Sequence, residues 1–325
     1  MFEVIRPGTN YDFIGKWKIA MIGSGLLILG GIVSAAVNGV KWGIDFAGGT
    51  EMQVRFAEGV SVEEGKIRSV VESLGIGEPS VVRYGELGQS PGYLIRFHEA
   101  AEQGEQQNRV IDQIRSTLEK DVGAVTVDRV EFVGPKVGAE LRRDGAKAMA
   151  LAFLAILIYV GVRFNAQFSP GGVFADIHDV FITCAVWQML GQQFDLQVLA
   201  ALLAIIGYSI NDTIVIFDRI REVLETHTKQ DLPGVINQAV NETLSRTVLT
   251  SGATMLSVIA LVTLGGAAIY PFAATMAIGI VAGTFSSIYI ASPIMMLISN
   301  RSERRKQSAA KPAGKNGGKR AKARA

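Results

Sequence analysis

The chain has 325 residues, 49% of them apolar, with 32 Lys or Arg against 30 Asp or Glu, three His and a mean hydropathy of +0.29. Its single cysteine, Cys184, excludes an intrachain disulfide framework. Several apolar runs long enough to cross about 30 Å of hydrocarbon place it among membrane proteins.

A polar leader over residues 1–18 precedes a first apolar span at 19–37. Ser34-Ala35-Ala36 offers small residues at a signal-peptide cleavage position, but the leader is long for a signal and carries Glu3 and Asp12, so a retained span is the stronger reading. Residues 38–143 then form the one substantial soluble domain. A strand is expected at Thr50 to Phe56, after the turn Ala47-Gly48-Gly49. A helix is expected from Ser61, which with Glu64 makes a capping-box pattern ahead of Ile67, Val70, Val71 and Leu74. Strands follow at Ser80 to Tyr84 and Tyr93 to Phe97, separated by a Gly/Ser/Pro turn. A second helix carries Val110, Ile111, Ile114 and Leu118, and Val125 to Phe132 is the last strand. The order βαββαβ predicts a ferredoxin-like sheet with two helices on one face.

Five further spans are read at 173–191, 196–217, 247–266, 271–298 and, first among them, 144–162, making a five-helix membrane domain over 144–298. The last is long enough to be tilted, kinked near Pro293 or partly interfacial. The fold class is therefore a polytopic α-helical membrane protein of six transmembrane helices, with an extracytoplasmic α+β domain between the first and second. Lys16 and Lys18, Arg163, Arg219 and Arg221, and the basic tail after the sixth span all fall on one side, which puts both termini in the cytoplasm and residues 38–143 outside. The tail, 299–325, carries ten Lys or Arg and one acidic residue and reads as disordered. Attraction to anionic lipid headgroups is its simplest role, and contact with ribosomal RNA the alternative.

One segment stands apart chemically. Asp212 lies in Gly207-Tyr208-Ser209-Ile210-Asn211-Asp212-Thr213, inside the apolar run Val198 to Phe217. An ionised Asp near the middle of a span costs about 2.5–3.5 kcal/mol on insertion scales, so it normally faces a partner or a wet cavity and marks a proton or ion path. The fifth span supplies a partner in Arg246 and a hydroxyl stripe in Thr243, Thr247, Thr250, Thr254 and Ser257. Asp212 and Arg246 are expected to pair as a proton relay, with Asn211, Thr250, Thr254, Ser257 and Asp179 as a supporting polar seam. A static clamp that never titrates is the alternative. Asp218 and Arg219 read as charges at a membrane end, while Asp176, His178 and Asp179 either lie at the interface or, for Asp179, turn inward toward the fourth span.

No residue is assigned to catalysis, to a metal or to a cofactor. Gly15-Lys16 lacks the glycine spacing of a phosphate loop, and His98, His178 and His227 fall in three separate regions. Asn211-Asp212-Thr213 and Asn241-Glu242-Thr243 are disregarded as glycosylation sequons, since they lie at membrane depth or on the cytoplasmic side.

The runs Gly43 to Thr50, Phe132 to Gly138, Ile177 to Val180, Gly207 to Glu222 and Thr247 to Ser257 closely resemble the SecF family, the smaller subunits of the bacterial SecDF translocase accessory complex in the resistance-nodulation-division superfamily. The resemblance extends from about residue 10 to 300. It implies a non-enzymatic subunit of the bacterial inner membrane that works with SecD and the SecYEG channel, and with YajC as a further associate, in exporting unfolded secretory polypeptides. Proton flow in the membrane part would drive movement of the outer domains. The family's membrane aspartate falls on Asp212 and its basic residue on Arg246, while a further acidic residue is expected from SecD. Ala253 departs from the pattern where a threonine is frequent. The competing classes are an exporter of small molecules or ions from the same superfamily, which needs about twelve spans, and a structural subunit with no titrating residue.

Overall fold

The computed structural model describes residues 8–57, 62–77, 79–84, 92–97, 105–163, 169–226 and 231–299. After helix α1 (Trp17–Asn38), a four-residue helix α2 (Ile44–Ala47) leads through Gly48, at φ 79°, into strand β1 (Gly49–Phe56). Helix α3 (Glu64–Ser73), strands β2 (Ser80–Tyr84) and β3 (Gly92–Phe97), helix α4 (Glu105–Asp121) and strand β4 (Val125–Val133) follow.

The strands form one antiparallel sheet in the order β2-β3-β1-β4, with Met52 level with Ile95 on one side and Val130 on the other. Period-2 alternation sends Met52, Val54, Phe56, Tyr93 and Ile95 to one face, where they meet Ile67, Val71, Ile114 and Leu118 from the two helices. The buried Tyr93 hydroxyl donates to the carbonyl of Val62. Ser61 lies outside the described residues, and α3 begins at Glu64 without a side-chain cap. The reason is a tertiary contact: the Glu64 carboxylate accepts the backbone N–H of Arg83 on β2 at 3.3 Å and is committed to the sheet.

The remaining chain is helical: α5 (Pro135–Arg163), α6 (Ser169–Met189), α7 (Leu196–Thr226), α8 (Leu232–Leu264) and α9 (Gly266–Ser286), then a π-helical turn (Ser287–Ala291). Among the described residues, five helical stretches are long and apolar enough to cross a membrane: Ile14–Asn38, Pro135–Arg163, Leu196–Thr226, Leu232–Leu264 and Ala268–Ser299. Helix α6 falls short because Asp176, His178 and Asp179 lower its apolarity. The helices overrun the predicted spans. The ends of α7 and α8 pair through Phe217, Ile220, Val223, Val235, Ile236, Ala239 and Val240, an apolar face that holds them together beyond the spans. The leader docks on this extension: Asn237 and Asn241 accept the N–H groups of Phe13 and Tyr11 at 2.9 and 2.8 Å.

Glycine lets the helices approach closely. A Cβ at Gly31 would lie 2.4 Å from the Cβ of Ala185, and one at Gly279 would lie 2.1 Å from Ile205 Cδ1, so α1 meets α6 and α9 meets α7 across glycine surfaces. Pro293 comes two residues after the last residue of the π-helical turn, and the intervening Ser292 hydroxyl donates to the carbonyl of Ser287 at 3.0 Å. A residue lacking an N–H is accommodated there by a slip of the helical register.

Candidate proton site and its link to the sheet domain

Asp212 is 4% exposed, and its Oδ2 accepts the hydroxyl of Ser251 on α8 at 3.2 Å. The Ser251 hydroxyl in turn accepts from Thr284 on α9 at 2.8 Å, so a chain of three residues ties α7, α8 and α9 together at the carboxylate. Ser251 was not among the expected partners. It lies one turn beyond Thr247, and these two buried positions mark the face of α8 that meets α7.

The expected pair is arranged differently. Arg246 is exposed and forms no direct ion pair with Asp212, although its charge and Thr250 act on the carboxylate from nearby. Most of the expected hydroxyl seam is turned back on its own helix: Thr250 donates to the Arg246 carbonyl at 3.0 Å, Thr254 to the Thr250 carbonyl at 3.0 Å, and Ser257 to the Ala253 carbonyl at 3.4 Å. Thr254 also accepts the hydroxyl of Tyr208 at 3.2 Å. Asn211, Arg246, Ala253 and Ser257 are exposed, so the missing hydroxyl at Ala253 is not one that faces Asp212.

Asp179 turns inward and builds a separate centre. Its Oδ2 accepts hydroxyls from Ser209 on α7 at 2.6 Å and Ser286 on α9 at 2.7 Å, and its Oδ1 lies 3.2 Å from His178 Nδ1. The two centres share α7 and α9 but not their ligands. At the far end of α7, Asp218 lies 3.8 Å from Arg163, and Arg219 pairs with Glu222 and Glu242. These are exposed or half-exposed charges about two turns beyond Asp212 on α7, outside the buried site. Among the described residues, no group of three or more His, Cys, Asp or Glu could hold a metal, and His98 and His227 lie outside those residues.

The other end of α7 is built into the sheet domain. The Gly43 N–H donates to the Phe194 carbonyl at 2.7 Å and the Phe194 N–H to the Lys41 carbonyl at 2.8 Å, so the segment before α2 zips to the loop between α6 and α7. Asp45 accepts the N–H of Leu196, the first residue of α7, at 3.0 Å, and Asp195 accepts that of Val198 at 2.9 Å. Arg96 on β3 is held by Glu51 at 2.6 Å and reaches Gln193 at 2.7 Å. Burial pushes the Asp195 carboxyl above the usual carboxylate range, opposed by the Val198 N–H and the charge of Arg96. Two carboxylates thus satisfy N–H groups that a helix start leaves without partners.

Comparison with known proteins matches the same regions. Residues 113–301 fit the family described as protein export membrane protein SecD/SecF, C-terminal, and residues 33–60 fit the SecD/SecF GG motif. A protein translocase subunit SecF from Calditerrivibrio nitroreducens is 38% identical over 310 residues, covering 93% of this chain and 98% of the relative. Another from Magnetococcus marinus is 42% identical over 305 residues, covering 93% and 96%. The crystal structure of SecDF, a translocon-associated membrane protein from Thermus thermophilus, superimposes with a TM-score of 0.79 at 32% identity, covering 90% of this chain and 39% of that longer one. With its apolar helices, its glycine turn into the sheet and relatives matched almost end to end, the chain belongs to the SecF family of protein translocase subunits, accessory components of Sec-dependent protein export.

Proposed function

We propose that the chain is a subunit driven by the proton motive force that works with SecD to promote translocation and release of unfolded polypeptides on the outer side of the SecYEG channel. The observation that carries this reading is the Asp212 carboxylate, buried at the junction of three helices and tied to Ser251. Protonating such a carboxylate removes the charge that Ser251 and Arg246 are placed to stabilise, and so alters how α7 and α8 hold each other. Deprotonation toward the cytoplasm restores the first arrangement. Because the first turn of α7 is bonded to Asp45, a shift of α7 reaches the sheet domain.

The exposed side chains of Asn211 and Arg246, at membrane depth on α7 and α8, support a partner helix there. An arginine facing hydrocarbon is costly, and SecD is the cover this reading assigns, bringing its own acidic residue. In this arrangement α6 is a sixth span, both termini are cytoplasmic, and the sheet domain is a ferredoxin-like unit on the outer side of the bacterial inner membrane. The positions of Lys16, Lys18, Arg163, Arg219 and Arg221 support that orientation. YajC is a further associate and the basic tail a contact for anionic lipid. The chain itself catalyses no reaction.

Export of a slow-folding secreted substrate is the test, in vesicles carrying the chain with its SecD partner, with and without an imposed proton gradient. Stimulation by the gradient should vanish in Asp212→Asn, which keeps side-chain volume but removes the titrating group. Equal stimulation in both proteins would make Asp212 a packing residue and the chain a structural subunit.

A further inference from the structure

Asp176 is fully buried on α6, and neither of its carboxylate oxygens has a hydrogen-bond partner. One turn along the same face, Asp179 is equally buried but well supplied, with two hydroxyls on Oδ2 and the His178 imidazole beside Oδ1. The contrast matters because donors stabilise the charged form of a carboxyl, whereas a buried carboxyl without donors is neutralised by taking up a proton. The two carboxyls also act on each other electrostatically, and like charges a turn apart in a dry interior do not both ionise.

The neighbours are polar and uncharged. From α7 come Ser209 and Thr213; the Thr213 hydroxyl is buried without a partner, and its methyl lies 3.7 Å from where a Cβ would stand on Gly172, one turn before Asp176. Helix α9 contributes Ser286, while α5 and the turn just before α1 bring the apolar Val160 and Ile14 to the core that contains Ala175. Among the described residues no lysine or arginine pairs with Asp176 or Asp179. His178 has its Nε2 unpartnered and lines a cavity of about 560 Å³ between α1, α6 and α9, so the imidazole stands between that cavity and Asp179.

We propose that Asp176 and Asp179 form a second proton-holding site in this chain, the pair holding one proton, on Asp176, with His178 beside Asp179 as its route of access. It is separate from Asp212 but mechanically joined to it. Ser209 lies three residues before Asp212 on α7, and Ser286 lies two residues after Thr284, the donor to Ser251, on α9. Occupancy of the site stands on its own geometry, while its use in export rests on the proton-coupled reading of Asp212.

Infrared spectroscopy of the full chain with its SecD partner in lipid vesicles, at neutral pH, reads protonated carboxyl groups directly. The wild-type protein should show a buried protonated-carboxyl band that is lost in Asp176→Asn and kept in Asp212→Asn. Should Asp176→Asn fail to assemble, Asp176→Glu keeps a carboxyl in a new position and must shift the band. No wild-type band, or a band unmoved by substitution at 176, overturns the proposal, as does a spectrum that changes when sodium replaces potassium, which would mark a metal cation in place of the proton. Gradient-driven export of Asp212→Asn is measured alongside. Unimpaired export there is a failure of the coupling reading, whereas a band indifferent to Asp176→Asn is a failure of this one.

Discussion

Asp45 accepts the backbone N–H of Leu196 at 3.0 Å, so a residue from the short helix that opens the sheet domain caps the helix carrying Asp212. Replacing Asp45 by Ala removes that acceptor and should cost about 1 kcal/mol at the start of α7. Amide hydrogen exchange at Leu196 to Leu199 is expected to speed up, and gradient-stimulated export to fall although Asp212 is intact. Unchanged exchange in the variant would mean that Asp195 alone suffices as the cap.

Two glycines hold the sheet domain against α5. A Cβ at Gly138 would lie 2.9 Å from the Phe46 carbonyl oxygen, and one at Gly48 would lie 2.9 Å from Pro135 Cα on a backbone at φ +79°. Gly138→Ala is expected to destabilise by about 1–3 kcal/mol through overpacking, and Gly48→Ala by more, because the left-handed conformation adds its own cost. Gly65, in the first turn of α3 with open space around it, is the control and should accept Ala without loss. Thermal unfolding in detergent checks the ranking.

Ser251→Ala should impair gradient-stimulated export because it removes the hydroxyl donor from a buried carboxylate, an interaction typically worth about 1.5–3 kcal/mol when one partner is charged. Ser257→Ala is expected to leave Asp212 unaffected, since its hydroxyl already serves the Ala253 carbonyl. Equal export by the two variants would show that Ser251 is not a ligand of the working site.

Asp195 predicts a pH dependence. Its carboxyl is raised above the ordinary 3.8, chiefly by burial, so the folded state binds this proton more tightly than the unfolded one. Its contribution to stability is therefore fullest below the unfolded value and is lost as pH rises through the raised folded value. Thermal midpoints measured upward from about pH 4 should decline more steeply in the wild-type protein than in Asp195→Asn, where this ionisation is absent. Identical slopes would remove Asp195 as the source.

The sheet domain was legible because its signals are local. Alternation in Thr50 to Phe56 and in Tyr93 to Phe97 identifies strands with one buried face, and the apolar spacing from Val110 to Leu118 identifies the helix that covers it. The start of α3 was misplaced because Glu64, a capping residue by pattern, is claimed by the N–H of Arg83, a contact between residues nineteen apart. Five of the expected spans were legible as apolar runs, but not the overrun of α7 and α8, whose extensions form only because each gives the other an apolar face to bury.

A buried Asp212 follows from residue order alone, since a carboxylate within so apolar a run must be housed by something. Which residues house it is a question of helix rotation. Five hydroxyls at helical spacing and a nearby arginine made a seam facing Asp212 the natural expectation, yet α8 presents Ser251 there and leaves Arg246 and Ser257 on the outside. Periodicity states which side chains share a face but not toward which neighbour that face turns. That is settled by packing of the whole bundle, where the glycine surface at Gly279 and Gly283 lets α9 close on α7 and bring Thr284 to Ser251. The same packing leaves Asp176 without a donor while Asp179, one turn away, has two hydroxyls, a difference that two identical residue types cannot reveal until their neighbours are in place.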